Sequence, residues 1–274
     1  MSRLAVEGPK TIYYERHGGS GRTIVLVHGW GMSCRVWDLT LPALLEAGHD
    51  VVSFDQRCCG SSDKDFDDTS PAAAANDVLA LIEETGVSDP VVVGWSFGAA
   101  VVAQAAIDGG SRFGAMVLVG PPTPRYLQAD GFPHGGTQEI MDQTLQTLRD
   151  NRPEFLHGLA QAVCHAEVGA PTEQWMWQIF MQASPRADAG LGELGQIDHR
   201  DALPSVEIPT LVCSGDHDVI VDPAVAARCA ELLPNARLLR FADSGHAPFI
   251  EERERFNAAL LSFAADPAAA PSPA

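Results

Sequence analysis

The chain is short of positive charge: 18 Lys and Arg stand against 36 Asp and Glu in 274 residues, a formal net charge of -18. A surface of that sign repels a phosphate backbone or an anionic membrane, and no run of Lys or Arg makes a local exception. Nucleic acid and membrane surfaces are therefore not expected as partners. Also missing is an apolar stretch of about 18 residues, the least that reads as a membrane span. Residues 1–23 lack the basic start and apolar core of an export signal. The expectation is a cytoplasmic protein acting on a small-molecule substrate. The six cysteines, at 34, 58, 59, 164, 213 and 229, form no CxxC pair and no Cys/His zinc spacing. Neither a metal site nor a disulfide framework is expected, and no organic cofactor is implied.

What is there is a globular composition, 46% apolar and 20% charged, so a packed core is expected rather than a disordered chain. Short apolar runs rich in β-branched residues recur at 11–15, 23–27, 51–54, 91–94, 116–119, 210–214 and 237–241. Helical patterns separate several of them, such as 71–85, with Ser70 as N-cap and Pro71 in the first helical position, and 97–107. This alternation predicts an α/β fold with a mostly parallel, doubly wound sheet. Residues 124–204 break the rhythm, with no strand signal and helix starts near Thr137, Pro153, Pro171 and Pro185. They are expected to form a helical cap inserted into a core made of residues 1–123 and 205–265. One helix at about 248–264 should close the core, followed by a disordered Ala/Pro-rich tail at 266–274.

Gly94-Trp95-Ser96-Phe97-Gly98 follows a strand pattern and precedes an Ala-rich helix, the setting of a nucleophile elbow. The pentapeptide alone is weak evidence; its context makes Ser96 a candidate nucleophile. A serine hydroxyl needs a base, and the base an acid that fixes its tautomer. His246, in the loop between the last strand and last helix, is the best placed of nine histidines. After the strand ending at Ser214, Gly215-Asp216-His217-Asp218-Val219-Ile220 offers the acid. Asp218 is preferred, with Asp216 and Asp222 as alternatives. Backbone N–H groups of Phe97 and of Trp30, in the loop His28-Gly29-Trp30-Gly31, are candidates for an oxyanion hole. His28 is expected to hold that loop rather than take part in chemistry.

With these residues assembled, the chain resembles the α/β-hydrolase superfamily from about Leu4 to Phe263. Val27-His28-Gly29-Trp30-Gly31, the segment Phe54-Asp55-Gln56-Arg57-Cys58-Cys59-Gly60-Ser61-Ser62-Asp63, the Ser96 pentapeptide and Ser244-Gly245-His246-Ala247-Pro248 carry the likeness. Within it, the chain is similar to carboxylesterases, enol-lactonases and cofactor-free haloperoxidases with a helical cap. Asp218, in Gly-x-x-Asp followed by two apolar residues, matches the acid of related hydrolases. The resemblance implies a serine hydrolase cleaving a carboxylic ester or lactone through an acyl-enzyme. The same residues would also serve a C–C bond hydrolase or a perhydrolase, and from another class a non-catalytic ligand receptor on the same scaffold. Cys58 departs from the family by standing where glycine is common. Met32, Phe132, His134, Trp175 and Trp177, with Trp30, are the candidates for lining a substrate pocket.

Overall fold

A computed structural model describes residues 2–268. Eight strands form one sheet: β1 (Ser2–Glu7), β2 (Lys10–His17), β3 (Thr23–Val27), β4 (Asp50–Asp55), β5 (Val91–Trp95), β6 (Ala115–Val119), β7 (Thr210–Gly215) and β8 (Ala236–Phe241). Their spatial order is β1-β2-β4-β3-β5-β6-β7-β8, antiparallel for the first two pairings and parallel beyond. The central strands are buried on both faces and mostly apolar, as a covered parallel sheet requires. The helices outside the 120–209 connection are α1 (Leu41–Glu46), α2 (Pro71–Thr85), α3 (Phe97–Gly109), α7 (Pro223–Leu232), α8 (Pro248–Glu251) and α9 (Arg253–Ala265). Helix α1 packs on α9 and α2 on α3. The fold is the α/β, mostly parallel and doubly wound one that the alternation predicts.

Local chemistry explains the element ends. Ser70 Oγ accepts from Ala73 N–H at 3.1 Å ahead of Pro71, and Gly86, at φ 63°, closes α2 in the left-handed conformation. Asp55, at the end of β4, accepts from the N–H groups of Cys34 at 2.7 Å and Ser61 at 2.6 Å. Cys58 sits at φ 64°, the region that favours glycine, which is why glycine is common there.

Between β6 and β7 the described chain has no strand of the sheet. It carries α4 (Gln138–Ala162), α5 (Ala170–Phe180) and α6 (Asp188–Leu194), with a 3-10 turn at Pro185–Ala187. Thr137 caps α4 through Ile140 N–H at 3.3 Å. The helix is broken at Asn151, where φ is -151° and ψ 73°. Pro153 cannot donate to the preceding turn, and Asn151 Oδ1 instead accepts from Glu154 N–H at 3.4 Å, so the second half starts as a newly capped helix.

Two expectations need correction. Strand β1 was not foreseen: it is an edge strand whose apolar alternation is limited to Leu4 and Val6, both half-buried against the core. The closing helix is not continuous, because Glu252, at φ -110° and ψ 48°, separates α8 from α9. The break coincides with contacts to the loop before it. Successive residues of one helix point about 100° apart, yet the carboxylates of both Glu251 and Glu252 turn onto the 243–247 loop. The expected tail falls, from residue 269 onward, outside the described residues.

Candidate active site

Parallel strands end on a common edge, and the loops beyond β5, β7 and β8 bring Ser96, Asp218 and His246 together there. Ser96 has φ 54° and ψ -124°, a conformation that costs a non-glycine residue energy and turns the chain sharply into α3. Its N–H donates to Val119 O at 2.8 Å, tying the turn to the neighbouring strand. Both flanking glycines are dictated by space. A Cβ on Gly94 would stand 2.3 Å from Gly98 O, and one on Gly98 would stand 2.3 Å from His28 O. The turn therefore closes only when α3 lies directly against the 28–31 loop.

His246 Nδ1 and Asp218 Oδ2 are 2.7 Å apart, with side chains 2% and 1% exposed. Asp218 Oδ1 accepts from the N–H groups of Ile220 and Val221, each at 2.9 Å. An ionised carboxylate can only accept, so Nδ1 carries the proton and Nε2 keeps its lone pair. Among the described residues that Nε2 has no hydrogen-bond partner. The backbone around His246 is equally fixed: its N–H donates to Val163 O at 2.8 Å, and its carbonyl accepts from Trp95 Nε1 at 2.8 Å. Gly120, at φ 50°, leaves room for the imidazole, since a Cβ there would lie 2.9 Å from Nδ1. The alternatives to Asp218 are occupied elsewhere. Asp216 pairs with Arg240 at 2.7 Å, and Asp222 caps α7 through Ala224 N–H at 2.9 Å.

The N–H groups of Trp30 and Phe97 donate to no other described residue. Phe97 opens α3, where an N–H has no acceptor within the helix. His28 lies fully buried beneath this loop. Its Nε2 accepts from Gln56 N–H at 2.9 Å while Nδ1 donates to Gly29 O at 2.7 Å, and burial lowers its pKa. A neutral histidine used on both nitrogens holds backbone in place.

Ser96, His246 and Asp218 open with Trp30 and Phe97 into one cavity of about 500 Å³. Its walls are chiefly apolar, with Tyr126, Phe155, Leu159, Phe180, Leu191 and Ile220 among them. Burial, and then the charge of Asp218, push the Tyr126 phenol up, so it stays neutral. The expected lining needs correction, because of its six aromatic and flexible candidates only Trp30 reaches the cavity. Met32 is buried in the main core. Phe132 belongs to a small separate cluster with Val221 and Val225, and His134 stacks edge-on against it at 5.3 Å. Trp175 packs against the core, and Trp177 meets His157 edge-on at 5.0 Å. Of the four lining residues of α4 that were missed, Ile140, Thr144, Phe155 and Leu159, the last two had a helical i, i+4 signal but no aromatic pair to draw attention.

Residues 22–253 match the family described as alpha/beta hydrolase fold. The chain belongs to that family. It is 31% identical to a non-heme haloperoxidase of Rhodococcus erythropolis, over 94% of this chain and 97% of that one. A bifunctional esterase/perhydrolase of Acinetobacter calcoaceticus is 28% identical, over 96% of this chain and 99% of that one. The solved structure of an esterase from Exiguobacterium antarcticum is similar with a TM-score of 0.94 at 27% identity, covering 97% of this chain and 99% of that one. The α/β hydrolase thus has both esterase and haloperoxidase relatives. Among its described residues no helix is long and apolar enough to cross a membrane.

Proposed function

We propose that the protein is a serine hydrolase that cleaves ester-type bonds, in carboxylic esters or lactones, of small apolar substrates. The observation that carries this reading is the buried His246–Asp218 pair, which leaves Nε2 buried without a hydrogen-bond partner while His246 and Ser96 line one mostly apolar cavity. His246 takes the Ser96 proton as Oγ attacks the carbonyl carbon, and the Trp30 and Phe97 N–H groups receive the oxyanion. The tetrahedral species collapses, His246 returns the proton to the leaving alkoxide, and an acyl group remains on Ser96. Water deprotonated by His246 then attacks the acyl carbon, the acid departs and Ser96 recovers its proton. Asp218 moves no proton; it holds the imidazole tautomer and stabilises the imidazolium. Residues 124–204 act as a cap whose α4 and α6 wall the acyl and alcohol sites, a volume suited to a drug-sized ligand.

A panel of short-chain aryl esters and lactones tests this, comparing wild type with Ser96→Ala. Turnover is expected from the wild type alone; equal rates from both proteins would remove Ser96 from the chemistry. A second reading uses the same residues. The similarity to a haloperoxidase and an esterase/perhydrolase favours interception of the acyl-enzyme by hydrogen peroxide, which gives a peracid in place of the acid. Peracid release in the presence of ester and peroxide, lost in Ser96→Ala, is its signature.

A further inference from the structure

The loop that carries His246 is gripped by a carboxylate the mechanism above does not use. Glu251 Oε1 accepts from the N–H groups of Gly245 at 2.9 Å, His165 at 2.6 Å and Ala166 at 3.0 Å. Its Oε2 accepts from Ala247 at 3.2 Å and again from Gly245 at 3.0 Å. Two of these four donors flank His246 on either side, and the other two lie in the chain leaving α4. His246 N–H itself donates to Val163 O, 2.8 Å away in the same segment. The approach is close: a Cβ on Gly245 would stand 2.8 Å from His165 N. Segment 163–166 ends the helix whose Phe155 and Leu159 wall the cavity, so one carboxylate ties the cavity wall to the base.

We infer that Glu251 is a positioning residue for His246, a role that rests on the hydrolase reading above. A carboxylate suits the task because it is all acceptor, with about four lone-pair sites for four inward N–H groups. An amide of the same shape would turn an NH₂ group against two of them. Freed on both flanks, the 245–247 backbone would let the imidazole drift from Ser96. A displacement of about 1 Å in such a group costs on the order of 100-fold in rate.

The test compares Glu251→Gln with wild type in three readouts: kcat and KM on an aryl ester, the rate of Ser96 labelling by a fluorophosphonate, and the downfield proton signal of His246 Nδ1–H. The expected result is a kcat about 10- to 100-fold lower with KM within about 2-fold, labelling slowed in proportion, and the downfield signal broadened or lost. A variant with a lower melting temperature but wild-type kcat, labelling and signal would show a merely structural role and overturn the inference. If Glu251→Gln does not fold, Glu251→Asp takes its place: a kcat loss with unchanged KM supports the inference, and wild-type kcat overturns it. Wild-type protein that fails to label at Ser96 would bring down the hydrolase reading itself, whereas equal labelling of wild type and variant removes the positioning role alone.

Discussion

Asp218 shows how much of a site can depend on one side chain. One oxygen faces His246 and the other is saturated by two backbone N–H groups, so the carboxylate has no freedom to turn away. Asp218→Asn would put a donor or a neutral acceptor against Nδ1 and favour the wrong tautomer. We predict a fall in kcat of about 10³- to 10⁴-fold with KM little changed, measured on an aryl ester. His199 makes a different prediction. It is buried between Thr123 Oγ1, at 2.9 Å, and Gln104 Oε1, at 3.0 Å, and burial pulls its pKa from 6.5 down to about 4. Well above pH 6.5 neither state is protonated and the residue adds no pH dependence. As pH falls from there toward 4, the unfolded chain takes a proton that the folded one refuses, so stability is lost. The loss between pH 7 and 5 should be about 2 kcal/mol. Urea unfolding of wild type and His199→Gln at both values checks it, and a wild-type decline no steeper than the variant's would contradict it. The order Ser96, Asp218, His246 was legible in the sequence because each follows a strand pattern and chemistry restricts the residue type. Glu251 was not, since a glutamate in a helical pattern looks like a solvated surface residue until its four donors are seen.

At the scale of elements, the Ser96 turn is a contact between backbones. Gly98→Ala would force a Cβ between Val27 O and His28 O, at 2.5 and 2.3 Å, and no side-chain rotamer relieves a clash with backbone. We predict a stability loss of about 3 kcal/mol together with loss of ester hydrolysis, followed by urea unfolding and activity on one preparation. An alanine variant with wild-type stability and rate would mean that α3 does not need to lie against the 28–31 loop. The same elements mark where sequence patterns inform and where they fail. Buried parallel strands were readable because both faces are apolar, and α2 because Ser70 and Pro71 mark its start. Strand β1 was not, because only Leu4 and Val6 of its six residues turn to the core, too short an alternation to read. The break at Glu252 has no local cause such as proline; it accompanies two adjacent carboxylates that both reach one loop. The pocket wall failed for a related reason: the tryptophans drew the expectation, whereas Trp175 and Trp177 pack elsewhere and α4, α5 and α6 send Phe155, Leu159, Phe180, Leu191 and Leu194 to the cavity that holds Ser96.

The whole molecule adds charge and solvent access to these local arguments. The six cysteines are free, and burial raises the thiols, those of Cys59, Cys213 and Cys229 to about 12. Thiolate is the reactive form, so iodoacetamide at pH 8 is expected to leave hydrolysis intact; inactivation would point to a thiol in the reaction. Among the described residues no Lys or Arg lines the cavity, while Asp218 and Asp222 do, in a chain of net charge -18. A neutral ester should therefore exceed its anionic isostere, such as a hemisuccinate, by about 10-fold or more in kcat/KM at low salt. Equal values would place the leaving or acyl group outside this cavity. Every proposed step depends on Ser96 as the activated group. Mass spectrometry after exposure to a fluorophosphonate tests that most directly: one adduct on Ser96 in the wild type and none in Ser96→Ala is predicted, while an unlabelled wild type, or an adduct that survives the substitution, would contradict it.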